Sequence, residues 1–474
     1  DANDATEQAY RRSDFFQYGQ SQAQIQLHHT AFLHNHGFRG EHMRMAILDA
    51  GFYRYTELPC FDSARDQGQI MDTWDFVDRQ SSVSEDDAHG MHCFSIIASN
   101  MPGTFVGSAP KSQFFLYRTE DVFSEYPIEE FNLACAAERA DSAGVDVCSV
   151  SLGYTTFSDP SLDHSYDDMN GSTCISSKAV QKAASKGMLF VIAAGNEGGS
   201  SWHYISAPAD AKKALAVGAV NGAGSIAGFS SYGPSSDGRI KPDLASHGWG
   251  TTIANSTDGQ PTTGSGTSYA CPNMAGVVTC LWQAFKEEKQ DTILQALKQS
   301  GNRYASPDNR VGYGIPDALK AFTLLQKKGF THEEVFFQCS ADISCRVKCD
   351  PGMQLLLERK FPDELAYTQI ETFTTTDDWG YHNFNFHDDL SNRNYAQVNY
   401  RYRMKIAADT SYILDSSTVY FLIPCTPMGP GADKNQLAVA PNPAKATLYA
   451  TLQLQQAAEI SWLIFDVKGQ LLYN

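Results

Sequence analysis

Four separate segments of the chain carry the side chains that cleavage of an acyl bond requires. Asp49 directly follows the apolar residues 45–48, His89 precedes a glycine, and Ser268 follows a Gly-Ser-Gly-Thr run. A serine hydroxyl becomes a nucleophile when an imidazole removes its proton, and a carboxylate on the second ring nitrogen fixes the tautomer and stabilises the imidazolium. Asn196, which follows Ala-Ala-Gly, adds an amide N–H₂ that can donate to a developing oxyanion. These residue types predict acyl transfer through a serine ester.

Each segment also has a simpler structural interpretation. Asp49 shortly before Gly51 is typical of a turn, and for that segment alone the turn is favoured. Ser268 before an apolar run is typical of an ordinary helix N-cap. His92 is a rival base in the same segment as His89, and we interpret His92, but not His89, as a structural histidine.

The elements that must position these groups follow from the alternation of short apolar runs with helical stretches up to about residue 325. Two segments, residues 127–143 and 176–186, have helix composition and are each stopped by a glycine. Strand–helix alternation predicts an α/β fold with a mainly parallel sheet and helices on both faces, so Asp49 falls at a carboxyl end of that sheet. The predicted buried strands are residues 45–48, 114–117, 145–150, 188–194 and 214–217. Apolar residues at helical spacing after Ser268 predict a helix with one deeply buried face: Met274, Val277, Val278, Leu281, Trp282 and Phe285.

Taken together and in this order, the four segments resemble the motifs of the subtilisin-like serine proteases, the subtilase family or peptidase family S8. The resemblance covers residues 38–324 and includes landmarks at residues 229–234 and 241–245. It implies a subtilisin-like three-layer domain in which Ser268 is the nucleophile and His89 the general base and then acid. It further implies that Asp49 orients His89, and that the Asn196 amide and the Ser268 N–H bind the oxyanion.

The same resemblance implies where substrate binds. It makes one wall of the S1 pocket from Ser151, Leu152 and Gly153, which would also pair with substrate main chain as an added strand. It makes the opposite wall from Ala193, Ala194 and Gly195, and it places Tyr204 near the pocket floor. A bulky floor and the lack of an acid placed for a basic P1 residue predict small or medium apolar P1 residues.

Several positions depart from the usual family pattern without removing a catalytic atom, which suggests a divergent branch: Met91, Cys93, His247, Tyr269, Cys271 and Asn273. Cys93 and Cys271 are expected either to bring thiols near the triad or to act as inert buried packing, and packing is favoured.

The pattern changes after residue 325, where β-like runs are broken by Asp, Asn and Gly and no helical period survives. We predict a peptidase domain at 1–325 with a lead-in at 1–37, a β-sandwich domain at 326–425 and a linker at 426–436. Residues 437–474 resemble the start of the C-terminal sorting domains of the Bacteroidetes type IX secretion system, a short partial β-type sorting segment. The alternative there is a small extra β-domain with a Pro-rich entry.

Charge and composition limit the partners. The formal net charge is −18, from 36 basic and 54 acidic residues, so nucleic acid and anionic membranes are poor partners. No apolar run approaches the ~18 residues of a membrane span.

The chain begins at Asp1 without an initiator Met or an apolar leader, and we interpret it as a processed product. We therefore predict a secreted or cell-surface protein with polypeptide substrates, exported through the type IX machinery.

We predict structural roles for the cysteines and histidines, the residue types that commonly bind metals. The 11 cysteines include a late set, Cys339, Cys345, Cys349 and Cys425, in which we expect disulfides. The other seven are expected to behave as small hydrophobes. Five histidines between His28 and His42 are predicted to form a polar surface of the lead-in segment. The chemistry requires no cofactor; structural Ca²⁺ is implied by the resemblance alone, with ligands that the sequence does not locate.

Two other functions stay open at this point. A catalytically silent subtilisin scaffold would act as a binding or adhesion module through its β-domains, although the intact catalytic set argues against silence. Alternatively, residues 335–425 form a carbohydrate- or protein-binding module that targets the protease, for which scattered aromatics are available: Tyr367, Trp379, Tyr381, Phe384 and Phe386.

Overall fold

The buried apolar runs of the N-terminal part of the chain form the strands of one parallel sheet. The computed structural model describes residues 15–85, 87–337, 339–391, 397–407, 410–420, 436–440, 449–453, 464–465 and 471–473. It divides into two compact units, Asp1–Leu325 and Gln326–Asn474. The strands of the first unit are β1 (Arg44–Asp49), β2 (Ile70–Asp75), β3 (Asn100–Met101), β4 (Phe105–Val106), β5 (Gln113–Arg118), β6 (Val147–Val150), β7 (Leu189–Ala193), β8 (Ala214–Val220), β9 (Leu244–His247), β10 (Trp249–Ala254) and β11 (Pro261–Ser265).

The main sheet has seven strands in the order β2-β5-β1-β6-β7-β8-β9, and every neighbouring pair is parallel. Because parallel strands end at the same edge, Asp49 at the end of β1, the residues after β6 and those after β7 all lie at one carboxyl edge. Two antiparallel pairs, β3–β4 and β10–β11, lie outside this sheet.

Helices cover both faces of the sheet. The helices of the described residues are α1 (Gln22–Gln26), α2 (Thr30–Asn35), α3 (Asp62–Asp66), α4 (His89–Ala98), α5 (Ile128–Ser142), α6 (Ile175–Ser185), α7 (Thr267–Ala284), α8 (Gln290–Ser300) and α9 (Ala318–Gly329). Alternate strand residues such as Leu48 and Phe190 pack with apolar residues of two helices, α5 and α6, on one face. On the other face, the Oγ of Ser149 lies 3.5 Å from the Sγ of Cys271 in helix α7. The three-layer α/β architecture expected from the sequence is confirmed.

Helix α7 is the buried helix predicted after Ser268. All six of the apolar residues predicted to form its buried face, or to follow it directly, are buried, and none is more than 6% exposed. No helix in the described part of the chain is long and apolar enough to cross a membrane.

The lead-in segment is built into the domain through buried histidines. His28 is fully buried: its Nε2 lies 2.8 Å from the Ser246 Oγ and its Nδ1 lies 3.0 Å from the Pro316 carbonyl oxygen. His34 is also fully buried, between the Tyr18 hydroxyl at 2.8 Å and the Ser108 carbonyl oxygen at 3.0 Å. The prediction of a polar histidine surface is therefore wrong for these two residues, because each ring nitrogen finds a polar partner inside the protein.

The strands between residues 331 and 420 of the second unit form two antiparallel sheets. These strands are β12 (Thr331–Phe337), β13 (Ser340–Cys349), β14 (Gln354–Lys360), β15 (Thr368–Phe373), β16 (Gly380–Asp389), β17 (Gln397–Ala407) and β18 (Thr410–Tyr420). One sheet has the order β12-β13-β16 and the other β15-β14-β17-β18. The buried Tyr400 and Tyr402 of the second sheet join the first through their hydroxyls, at 2.8 Å from the Asp388 carboxylate and 2.5 Å from the Glu334 carboxylate. The two sheets thus form a β-sandwich.

The end of the chain is described only in short strands. These are β19 (Gln436–Ala440) paired with β20 (Tyr449–Gln453), and β21 (Ile464–Phe465) paired with β22 (Leu471–Tyr473). Residues 426–435 of the predicted linker and the Pro-Asn-Pro of the predicted sorting segment lie outside the described residues.

The three late cysteines that the structure describes do not form the expected disulfides with one another. Cys339, Cys345 and Cys349 carry free thiols, and Cys425 lies outside the described residues. Cys345 and Cys349 stand four residues apart on β13, and a strand rises about 3.3 Å per residue, so their separation far exceeds the reach of a disulfide. Of the other seven cysteines six are buried, as expected of small hydrophobes, and Cys135 is exposed.

Candidate active site

Asp49 and His89 are joined by a short hydrogen bond at the carboxyl edge of the sheet. The fully buried Asp49 Oδ1 accepts from the Ala50 N–H at 2.8 Å and lies 2.6 Å from the His89 Nδ1. Burial alone would lower the pKa of His89, but the charge and the hydrogen bond of the Asp49 carboxylate, together with the nearby Cys93, outweigh that effect and raise the pKa well above its usual value. The second oxygen, Asp49 Oδ2, is buried without a hydrogen-bond partner among the described residues.

The start of helix α4 brings His89 against β1. A Cβ added to Gly90 would lie 2.4 Å from the Gly51 carbonyl oxygen and 2.8 Å from the Asp49 Cβ. Glycine is therefore needed for the close approach of helix and strand. The Asp87 carboxylate accepts from the His89 N–H at 2.7 Å, which fixes the first turn of the helix.

Ser268 is the second residue of α7, and its side chain faces the same edge. Its Oγ donates to the Ser151 carbonyl oxygen at 3.3 Å, and the residue is 9% exposed. The ring of the neighbouring Tyr269 stacks beside that of His89, with centroids 6.0 Å apart. Within the described residues no hydrogen bond joins the Ser268 Oγ to the His89 Nε2; catalytic hydrogen bonds are often long without substrate.

Asn196 is held with its N–H₂ free to donate. Its Oδ1 accepts from the Thr267 N–H at 2.8 Å and from the Thr267 hydroxyl at 3.0 Å. A Cβ added to Gly266 would lie 3.8 Å from the Asn196 Nδ2, so the amide lies beside the first turn of α7. The Ser268 N–H belongs to that turn, whose first N–H groups lack intrahelical partners. Both predicted oxyanion donors therefore lie at one helix start.

The two predicted walls of the S1 pocket face each other across a residue that the sequence did not single out. The Ser206 Oγ would lie 2.2 Å from a Cβ added to Gly153 and 3.1 Å from one added to Gly195. Ser206 is thus the side chain between the walls. The Tyr204 ring stacks on that of Tyr166 with centroids 3.9 Å apart, and its role as a pocket residue stays a prediction.

The remaining predicted wall residues lie at or just after the ends of strands β6 and β7. Ser151 and Leu152 come directly after β6, Ala193 ends β7, and Ala194 is buried. No signal in a single sequence marks Ser206, because it lies in a loop between two strands and becomes visible only when both walls are in place.

Of the two thiols at divergent positions, that of Cys93 lies near the candidate catalytic groups, whereas that of Cys271 contacts main-chain carbonyls of the sheet. The Cys93 Sγ is 4.0 Å from the His89 Nδ1, and burial raises its pKa to about 11. The Cys271 Sγ donates to the Val191 carbonyl oxygen at 3.2 Å, and burial raises its pKa to about 12. Both thiols therefore stay protonated near neutral pH. His92, the rival base, makes a T-shaped contact with the Tyr269 ring, with centroids 6.4 Å apart.

One acidic cluster adjoins the wall residues. Glu120, Glu125 and Glu129 bring carboxylate oxygens within 4.8 Å of one another, and burial raises the pKa of Glu120 to about 8. Glu120 already accepts from the Tyr154 hydroxyl at 2.7 Å, and both oxygens of Glu129 accept from main-chain N–H groups. Ca²⁺ takes about six to eight oxygen ligands, which this set does not supply, so we do not assign it as a calcium site.

The fold and the geometry of the candidate site agree with the protein family to which the chain is assigned by comparison. The chain belongs to the subtilase family, peptidase S8, whose family model matches residues 36–314. Serine protease AprX of Bacillus subtilis is 27% identical over 308 residues, which cover 59% of this chain and 66% of AprX. Subtilisin BL of Lederbergia lenta is 28% identical over 291 residues, covering 61% of this chain and 93% of that protein. The crystal structure of MycP1 from Mycobacterium smegmatis shares the fold, with a TM-score of 0.51 and 20% identity over 66% of this chain and 86% of that chain.

Proposed function

We propose that the chain is a serine endopeptidase that hydrolyses peptide bonds through an acyl-enzyme on Ser268. The observation that carries the proposal is the 2.6 Å contact between the buried Asp49 Oδ1 and the His89 Nδ1 beside the start of α7. That bond orients the imidazole and holds the proton on Nδ1, leaving Nε2 as the base. Membership of a family of serine peptidases supports the same conclusion.

In the proposed reaction, the Ser268 Oγ attacks the peptide carbonyl carbon while the His89 Nε2 takes its proton. The carbonyl oxygen gains the negative charge and accepts from the Asn196 Nδ2–H and the Ser268 N–H. His89 then gives its proton to the leaving amine, and water repeats the sequence to release the acid. To begin, the Ser268 hydroxyl exchanges its 3.3 Å contact with the Ser151 carbonyl for one with His89.

Cleavage profiling on a peptide library tests this against the alternative, a catalytically silent binding scaffold. We expect cleavage by the natural chain and none by Ser268→Ala. The exposed Ser265, three residues earlier, offers a matched control, and Ser265→Ala should cleave like the natural chain. If neither the natural chain nor Ser268→Ala cleaves any peptide, the result would favour the silent scaffold.

We further propose small or medium apolar P1 residues. The position of the Ser206 hydroxyl between Gly153 and Gly195 supports a pocket narrowed at that point. A cleavage profile dominated by Arg or Lys at P1 would overturn this preference.

We also propose that the protein is exported, and that residues 437–474 address it to the type IX machinery. The Pro-Asn-Pro and the strand pattern of that segment support the address. Deleting residues 437–474 in a host with that machinery should retain the protein in the cell; unchanged export would contradict the proposed role of these residues.

Structural Ca²⁺ stays a proposal from the resemblance. If Ca²⁺ is bound, adding a chelator should lower the thermal stability of the protein.

A further inference from the structure

The main-chain carbonyl of Ser268 lacks its normal helical donor. In an α-helix the carbonyl of residue i accepts from the N–H of residue i+4. Four residues after Ser268 stands Pro272, inside helix α7. Proline has no N–H, and its ring displaces the carbonyl four residues earlier. The residue proposed as the nucleophile therefore carries a carbonyl that must find a partner outside its own helix.

Two side chains from other elements supply that partner. The Ser151 Oγ donates to the Ser268 carbonyl oxygen at 2.8 Å, and the Cys93 Sγ donates to the same oxygen at 3.3 Å. Ser151 directly follows β6, whereas Cys93 lies one turn after His89 in α4. Cys93 is fully buried, and Ser151 is 5% exposed. The Ser268 carbonyl oxygen thus connects three elements: helix α4 with the proposed base, the substrate wall after β6, and helix α7 with the proposed nucleophile.

The contact between Ser151 and Ser268 is reciprocal. The Ser268 Oγ donates to the Ser151 carbonyl oxygen at 3.3 Å, while the Ser151 Oγ donates to the Ser268 carbonyl at 2.8 Å. The first contact must break for catalysis, but the second does not involve the nucleophilic atom. The second contact can therefore hold the Ser268 main chain throughout the reaction.

We propose that Ser151 and Cys93 are positioning residues that replace the missing N–H at position 272 and fix the Ser268 main chain. This inference rests on the proposed function of Ser268. The orientation of that main chain sets both the direction of the Oγ and that of the N–H proposed to bind the oxyanion. Losing the donors leaves a buried carbonyl underbonded and lets the first turn of α7 shift.

The first arm of the test removes the donors one at a time. Ser151→Ala keeps the main chain that would pair with substrate, so we expect kcat to fall about fivefold with KM unchanged. Cys93→Ala should lower kcat by a smaller factor, because a thiol is a weak donor. Cys93→Ser keeps a donor of similar size, so its kcat should be close to that of the natural chain. Equal kcat values for the alanine and serine variants of Cys93 would count against its role.

The second arm restores the helical donor. Pro272→Ala gives position 272 an N–H that can reach the Ser268 carbonyl. In a double-mutant cycle, Ser151→Ala should therefore cost much less kcat in the Pro272→Ala background than in the natural chain. The same loss in both backgrounds, or no loss in either, would overturn the proposal. Thermal unfolding of each variant checks that all four proteins are folded.

The outcomes separate this inference from the proposed function. If the natural chain neither cleaves peptides nor reacts with a fluorophosphonate at Ser268, the peptidase proposal itself fails. If the natural chain is active but the cycle shows no coupling between positions 151 and 272, only the positioning role fails.

Discussion

At the scale of single residues, the Asp49 carboxylate controls the pKa of His89. A base must be neutral to accept a proton, and the Asp49 carboxylate raises the pKa of His89 well above 6.5. Activity should therefore fall as the pH drops through that raised value. The ion pair has the opposite effect on stability, because a raised folded-state pKa contributes stability that is complete below pH 6.5 and is lost as the pH rises through the folded value.

Asp49→Asn tests this control directly. Without the carboxylate, the acid limb of the kcat/KM profile should move to lower pH, and kcat should fall about 10⁴-fold because the wrong tautomer of His89 is favoured. The measurement is a pH–rate profile on a peptide substrate. His92→Asn is the control, and its profile should match that of the natural chain; an acid limb that stays in place in Asp49→Asn would contradict the assignment.

Ser206 gives a second prediction at this scale. Ser206→Gly removes the hydroxyl between the two walls, so kcat/KM for substrates with larger apolar P1 residues should rise about tenfold relative to alanine at P1. Competing peptides that differ only at P1 provide the measurement. An unchanged ratio would show that Ser206 does not limit the pocket.

The sequence predicted the candidate catalytic set but not all of its surroundings. Asp49, His89, Asn196 and Ser268 stood out because their four segments, each weak alone, occur together in the order of the subtilase motifs. Ser206 did not, because one hydroxyl in a loop has no distinguishing pattern until two distant strands enclose it.

At the scale of elements, the lead-in segment is coupled to the domain by neutral buried histidines. Burial lowers the pKa of His28 and of His34 from 6.5 to about 4 in each case. The unfolded chain therefore binds protons below pH 6.5 that the folded chain does not. Stability is complete above pH 6.5 and falls as the pH drops towards 4, by on the order of 3 kcal/mol for each histidine.

His28→Asn should make the stability of the first unit less dependent on pH between 6.5 and 4, although the variant is less stable near neutral pH. Chemical unfolding at a series of pH values measures both effects. His42→Asn changes an exposed histidine just beyond the lead-in segment and serves as the control. An equal pH dependence in His28→Asn and the natural chain would contradict the role of His28.

Element boundaries were predicted best where burial was continuous. The five predicted core strands agree with β1, β5, β6, β7 and β8 to within three residues, because strands buried on both faces are apolar throughout. Strand β16 was missed, since its outward positions are polar and its run contains Asn and His.

At the scale of the whole molecule, every group in the proposed mechanism belongs to the first unit, Asp1–Leu325. A chain ending at Gly329, which keeps helix α9 complete, should hydrolyse a short peptide with kcat/KM within about threefold of the full chain. A large loss, with the shortened chain shown to be folded by circular dichroism, would mean that the second unit contributes to catalysis.

The central claim is that Asp49, His89 and Ser268 act as one catalytic group. The most direct measurement is the rate at which a fluorophosphonate modifies the protein, with the modified residue identified by mass spectrometry. We predict a single adduct on Ser268, no adduct in Ser268→Ala, and labelling slowed by orders of magnitude in His89→Ala. Labelling of Ser268 at the natural rate in His89→Ala, or no labelling of the natural chain, would contradict the claim.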